Sequence, residues 1–208
     1  MRMLDLFCGR WGWSKAFAAR GWECVGVDLV EPPEVPDGCS FFKYNVLELI
    51  QHNIQNFDFI CASSPCEQFS VHGMKHFHPN PPYPELGIRL FNHTRALCEA
   101  SGVPYVMENV RAAQQFVGRA VHHCGPFYLW GTGVPAILPQ GIKKGLMTTW
   151  IDSKGRIRTQ GPQGRAGRPK GENTVAASME RTAKAATIPP ELANCVADYA
   201  ERICEVAA

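Results

Sequence analysis

The chain has 208 residues, 45% hydrophobic and 19% charged, which is enough to bury a full core as one domain with a small appendage and too apolar for a disordered chain. No run of about 18 apolar residues is available for a membrane span, and the amino terminus lacks the basic-then-apolar order of a signal peptide, so a soluble, intracellular protein is expected. The net charge of +2 is unevenly spread: Gly141 to Lys184 carries ten Lys or Arg against three acids, a local +7 that leaves −5 elsewhere.

In chain order, Met1 to Phe7 (MRMLDLF) reads as a first strand, Cys8 to Trp13 as a glycine-bearing turn, and Ser14 to Arg20 as a helix closed by Gly21. Glu23 to Leu29 (ECVGVDL) is a second apolar strand ending in Asp28, followed by a proline-rich loop from Glu31 to Gly38, and the whole makes a βαβ unit. A strand at Ser40 to Tyr44 and a helix over Val46 to Ile54 lead to the apolar run Phe57 to Ala62, a buried strand that delivers the chain to Ser63–Ser70 (SSPCEQFS). Val71 to Pro84 holds too much Pro and His for regular structure and is long enough to be a functional loop.

Apolar positions recur at helical spacing from Glu85 to Ala100, Gly102 stops that helix, and Val103 to Met107 is the next buried strand, closed by Glu108, Asn109 and Val110. The α/β rhythm then fades: Phe127 to Trp130 reads as a strand, Leu146 to Thr159 as a hairpin, and Gln160 to Gly171 as a Gly/Pro/Arg loop. Pro189 and Pro190 open a last helix to about Val206, with Leu192, Cys195, Val196, Tyr199 and Ile203 on its apolar face. The expected fold is therefore α/β: a doubly wound, Rossmann-like, mostly parallel sheet over 1–140, a basic β-rich appendage over 141–184, and a helix in 185–208 packing back on the first part.

Nine cysteines, odd in number and mostly within apolar stretches (Cys24, Cys61, Cys98, Cys195, Cys204), suit reduced core thiols. There is no CxxC pair, and His122, His123 and Cys124 lack a second ligand pair at finger-like spacing, which argues against a metal site. Trp13, Trp22 and Trp130 read as core aromatics, and Arg89 and Arg95 as a solvated helix face. His72, His76 and His78 read as surface loop residues, on a loop that could also close over a substrate beside Cys66.

Three places carry chemistry. DLFCGRWGW (Asp5 to Trp13) is a glycine turn between strand and helix, with Asp28 some twenty residues on: glycines let a ligand approach the backbone, and the acid can bind ribose hydroxyls. Cys66, after Pro65 on a loop leaving a strand, is a candidate nucleophile. Glu108-Asn109-Val110 ends another strand, and if the two strands are parallel neighbours a thiol and a carboxyl converge over one sheet edge. A thiolate can add to carbon 6 of a pyrimidine when a nearby acid binds ring nitrogen 3 and the exocyclic amine.

DLFCG, the acid at Asp28, Pro-Cys followed by Phe-Ser, and Glu-Asn-Val stand in the order of the DNA (cytosine-5) methyltransferase family, which the chain resembles over Met1 to Val110, with a layout like its compact phage-type members. The resemblance implies transfer of a methyl group from S-adenosylmethionine to carbon 5 of cytosine in DNA. Cys66 would be the covalent nucleophile and Glu108 the group on nitrogen 3 and the amine. Phe7, Cys8, Gly9, Trp11 and Gly12 would form the donor loop, Asp28 would meet the ribose, Leu29 the adenine ring, Asn45 the adenine amine through its amide oxygen, and Leu90 the donor. Ser70 would contact nucleic acid, as would Arg165 and Arg168, which resemble the family's Gln-x-Arg-x-Arg element one residue out of register; Gln140 with Lys143 and Lys144 is the competing match. The closing Gly-Asn of the family is replaced by Ala185, Ala186 and Thr187.

Two departures matter. Trp11 replaces a second loop glycine, and Glu67 replaces the glutamine after the cysteine, where an anion disfavours a thiolate. Glu67 is either a solvated substitute or a sign of altered chemistry, including a donor with an extra carboxylate paired to Arg10, Lys15 or Lys184. Free cytidine nucleotides are an alternative substrate and a non-catalytic DNA-binding relative an alternative function, while nothing calls for an obligate protein partner.

Overall fold

Apolar strands that carry no polar alternation must be covered on both faces, which is what a parallel sheet flanked by helices provides. The computed structural model describes residues 1–67, 69, 84–142, 148–151, 157–160 and 187–207. In it β1 (Arg2–Leu6) is central, with β2 (Glu23–Asp28) and β4 (Phe59–Ala62) parallel on either side. β3 (Cys39–Lys43) lies outside β2, and β5 (Tyr105–Asn109) pairs parallel with β4. β6 (His122–Cys124) and β7 (Phe127–Trp130) complete the order β3-β2-β1-β4-β5-β7-β6, with β7 antiparallel to both β5 and β6. The expected mostly parallel, doubly wound sheet is thus present. Its direction of winding reverses between β1 and β4, and the crevice outside the carboxyl ends at such a reversal is where open α/β sheets bind ligands.

The helices are α1 (Ser14–Ala18), α2 (Gln51–Ile54), α3 (Glu85–Ser101), α4 (Gln114–Val117) and α5 (Pro190–Ala207). One core, on the α1 and α5 side, holds Phe17, Trp22, Phe59, Leu129, Leu192 and Val196; the other, on the α3 side, holds Leu6, Ile60, Phe91, Leu97, Met107 and Trp130. Gly21 and Gly102 follow α1 and α3 with positive φ (80° and 72°), the left-handed ends expected of them.

Four expectations need correction. The helix over 46–54 is a 3-10 turn at Val46–Glu48 followed by α2, because Ile50 is extended and its N–H is taken by Asn53 Oδ1 at 3.0 Å, which starts a new turn. β5 runs on through Glu108 and Asn109, since Leu129 and Tyr128 of β7 pair with them, and β6 was not anticipated. The buried face of α5 is Leu192, Ala193, Val196, Ala197 and Ala200; Cys195 and Ile203 are only partly buried, because three alanines let the helix sit close on its neighbours. Arg95 is not simply solvated: its guanidinium donates to Val117 O (2.8 Å) and Asn92 Oδ1 (2.6 Å), joining α3 to the end of α4.

The chain falls into two compact units, Met1–Ile142 with Ile188–Ala208, and Lys143–Thr187. In the second, β8 (Thr148–Ile151) and β9 (Ile157–Gln160) pair antiparallel, as the hairpin reading expects. Among the described residues no helix is long and apolar enough to cross a membrane.

Candidate active site

The loop leaving β1 is shaped by its own backbone. Phe7 and Trp11 both adopt positive φ (60° and 61°), which costs roughly 1–2 kcal/mol at a bulky side chain. Phe7 and Cys8 donate their N–H groups to Val27 O (2.8 and 3.2 Å), so the turn is stitched to β2 before it reaches α1. Asp28 at the end of β2 completes the stitching: its Oδ2 accepts Gly9 N–H (3.1 Å) and its Oδ1 accepts Val30 N–H (3.1 Å). Each oxygen keeps lone pairs for a hydroxyl.

Side chains of this loop divide sharply. Trp11, expected at the donor, turns inward and is 1% exposed; its ring lies where a Cβ on Gly26 would stand 2.3 Å from Cζ3, and its Nε1–H donates to Glu34 O at 2.9 Å. Its side chain is thus taken up by the core and not turned toward a ligand. Cys8 is also buried over Gly26, and burial pushes its thiol far above the ordinary range. Gly12 is small because Ile188 crosses it, a Cβ there falling 3.0 Å from Ile188 Cβ and N, so packing within this unit accounts for it without a ligand. Leu29, by contrast, is 60% exposed at the carboxyl end of the sheet. Asn45 uses its amide oxygen to cap Leu47 N–H (3.1 Å) and donates to Glu48 Oε1 (3.0 Å), which leaves one lone pair on that oxygen. Leu90 is half-buried on α3.

Asp5, within the loop motif, has a structural role of its own. Asp5 is 1% exposed, and its Oδ2 accepts both Ser14 Oγ–H (2.6 Å) and Ser14 N–H (3.3 Å), so it clamps the start of α1 to β1 across the loop. Burial pushes its carboxyl up to about 7, against the two bonds from Ser14, which pull it down. The signal was visible as a single acid inside the apolar run MRMLDLF.

The segment bearing Cys66 leaves β4 beside this loop. Ser63 N–H donates to Leu6 O (3.1 Å) and Ser63 Oγ accepts the Trp13 Nε1–H (2.9 Å). Asn109 Nδ2 donates to Ser64 O (3.0 Å) and to Ser64 Oγ (3.1 Å), while its Oδ1 accepts Val110 N–H (2.8 Å). Beyond, Phe69 donates its N–H to Cys66 O (3.1 Å) and buries its ring near Phe116, which folds Cys66 and Glu67 into a turn. Cys66 is half-buried, and Glu108 is 6% exposed at the end of β5, one residue before the asparagine that holds Ser64. Ser70, Arg165 and Arg168 lie outside the described residues, as do His72, His76, His78 and Lys184.

The model of the C-5 cytosine-specific DNA methylase family matches residues 1–116, more than half of the chain. The chain belongs to that family. The matched span takes in the loop after β1, Asp28, the segment bearing Cys66, and Glu108, and ends within α4. Among solved structures, a mutant DNMT2 from Spodoptera frugiperda is 21% identical, with 55% of this chain and 37% of that one covered and a TM-score of 0.37. A 1,6-didemethyltoxoflavin-N1-methyltransferase from Burkholderia thailandensis, solved with S-adenosylhomocysteine, is 19% identical over 63% of this chain and 54% of that one, with a TM-score of 0.34. The NAD-dependent NDP-hexosamine 5,6-dehydratase TunA is 27% identical over 51% of this chain and 36% of that one, with a TM-score of 0.37. The chain thus spans well under two thirds of the length of each of these structures. Comparison with curated proteins gave no match.

Proposed function

We propose that the protein transfers a one-carbon group from an S-adenosylmethionine-type donor to carbon 5 of cytosine in DNA. The observation that carries this reading is the pair of hydrogen bonds from Asn109 to Ser64, which anchors the segment ending in Cys66 to the strand end bearing Glu108. Family membership supplies the reaction class. The donor fits what surrounds the switch point: a backbone turn pinned by Asp28, lone pairs left on that carboxylate, and the exposed Leu29 side chain beside it.

When bound, the donor supplies an electrophilic methyl. Cys66 Sγ adds as a thiolate to carbon 6 of the ring, while the Glu108 carboxyl holds nitrogen 3 and the exocyclic amine so that charge does not accumulate on the base. Carbon 5 then has a nucleophilic electron pair directed at the methyl; as the carbon–carbon bond forms, the donor's carbon–sulfur bond would break and its sulfur would leave as a neutral thioether. Loss of the carbon 5 proton and departure of Cys66 restore the aromatic ring and the free thiolate. Burial pushes the thiols of Cys8, Cys61 and Cys98 up, which suits packing and not nucleophilic attack. A base within a duplex must be flipped out to reach such a site, at a cost of a few kcal/mol.

The nature of the transferred group is a finer question. Lys15 is ion-paired with Glu34 at 3.7 Å, so of the two described cations near the loop Arg10 is the better counter-charge for a carboxylated donor. Incubating DNA with the protein and S-adenosylmethionine, or its carboxylated analogue, and weighing the nucleosides by mass spectrometry tests the whole reading. A methyl on cytosine, abolished by Cys66→Ala, is the expected result. Modification of a deoxycytidine nucleotide but not of DNA would move the substrate to the free nucleotide, and no modified cytosine with either donor or substrate would overturn the proposal.

A further inference from the structure

The ring that reacts must be met at two adjacent carbons: the thiolate at carbon 6 and the donor methyl at carbon 5. Displacing either partner by about 1 Å costs rate steeply, so the relative placement of the donor loop and the Cys66 segment matters as much as either one alone. Those two pieces of chain come from the ends of different strands, β1 and β4, and are far apart in sequence.

A side-chain link joins them directly. Trp13, the last residue of the loop before α1, is buried, and its indole N–H donates to the hydroxyl of Ser63, three residues before Cys66, at 2.9 Å. The same Ser63 is held by its backbone to Leu6, and the next residue, Ser64, is held from the other side by Asn109. Its neighbours in the loop do not make this crossing: Trp11 is turned against Gly26, and Gly12, without a side chain, lies against Ile188. Losing the acceptor of a buried indole N–H is costly, so this bond ties the Ser63 hydroxyl to a ring held in the core.

Resting on the reading of Cys66 as the nucleophile, we propose that Trp13 is a positioning residue for the transfer reaction: through Ser63 it sets where the segment carrying Cys66 stands relative to the donor loop. Trp13 itself is enclosed in the core and touches no substrate, so its effect belongs to the chemical step and not to donor binding.

Three substitutions test this. Trp13→Phe keeps the ring and drops the N–H, Ser63→Ala drops the acceptor, and Ser63→Thr keeps a hydroxyl. Steady-state kinetics on DNA would be combined with the rate at which a 5-fluorocytosine substrate traps the enzyme covalently, and thermal melting would confirm that each variant is folded. Trp13→Phe and Ser63→Ala should each lower kcat and the trapping rate by about 3- to 10-fold, the worth of one hydrogen bond, with the donor KM within about twofold of the parent. The double variant should be no slower than the slower single one, and Ser63→Thr should recover most of the parent rate. Unchanged kcat in the two single variants, additive losses in the double variant, or a threonine no better than alanine would each overturn the assignment. Should Trp13→Phe fail to fold, the alanine and threonine variants of Ser63 decide alone. A parent protein that traps no substrate and modifies no cytosine would sink the reading of Cys66 itself, and the role of Trp13 with it; an active parent with indifferent variants sinks only the latter.

Discussion

At the scale of single residues, the least expected feature is a carboxyl kept from water. Asp5 is clamped by Ser14 at the root of the loop after β1, and its burial pushes the group up from 3.8 to about 7. In the unfolded chain the acid ionises near its ordinary value, so between about pH 4 and pH 7 the folded state holds a proton that the unfolded state has released. The contribution to stability is therefore fully present below about pH 4 and lost as pH rises toward 7, on the order of 4 kcal/mol in the limit of complete burial. Asp5→Asn keeps an oxygen to accept the Ser14 bonds and has nothing to ionise. Urea unfolding at pH 5 and pH 8 should show the parent weakening between the two and the variant holding its midpoint, overtaking the parent at pH 8. A parent equally stable at both would mean that Asp5 is ionised in the fold at no cost. Asp28 does a different job with its carboxylate, since both oxygens are turned to backbone N–H groups of Gly9 and Val30. Its position at the end of an apolar strand was readable in the sequence, but the loop it pins was not.

At the scale of elements, β2 and the loop after β1 are matched through Gly26. An indole ring and a cysteine sulfur occupy the space where any side chain at that position would stand. Gly26→Ala should therefore destabilise the protein by about 1–3 kcal/mol through overpacking. It should also weaken donor binding, because Trp11 can only retreat by moving the loop that Asp28 holds. Urea midpoints and calorimetric titration with S-adenosylhomocysteine read the two effects, and an alanine variant with parental midpoint and affinity would show that Trp11 has room to shift. The reading of α5 illustrates a related point. Helical periodicity picked out Leu192 and Val196 correctly, but it also placed Cys195, Tyr199 and Ile203 on the buried face, whereas Ala193, Ala197 and Ala200 form the buried contact. Arg20 of the α1 turn then anchors the exposed side of α5 through Asp198 (Nε to Oδ1, 3.0 Å) and Asn194 (2.7 Å).

At the scale of the whole molecule, charge and topology carry the argument. The stretch from Gly141 to Lys184 carries ten Lys or Arg against three acids, and we propose that this excess positive charge neutralises phosphates of the nucleic-acid substrate. Neutralising about six phosphates would cost on the order of a thousandfold in affinity between ~50 and ~200 mM salt. Fluorescence anisotropy with a labelled duplex across that range reads the slope; binding insensitive to salt would remove DNA as the partner of this segment. Much of the fold was legible beforehand. The apolar runs at Met1, Glu23, Phe57 and Val103 became β1, β2, β4 and β5, and the last two are the parallel neighbours that a converging thiol and carboxyl require. Those features are local: hydrophobic runs, turn glycines and motif residues are adjacent in the chain, so pattern alone determines these four strands and the order of the motifs. What only the tertiary structure decided was the partner of each side chain. Trp11 faces the core while Trp13 reaches Ser63, fifty positions away; Gly12 answers to Ile188; Glu108 lies inside a strand because β7 returns antiparallel beside it. Contacts of that kind join segments that sequence order does not relate, and they are selected by which surfaces fit when the sheet closes against its helices, a choice made by packing and hydrogen bonding over the whole fold.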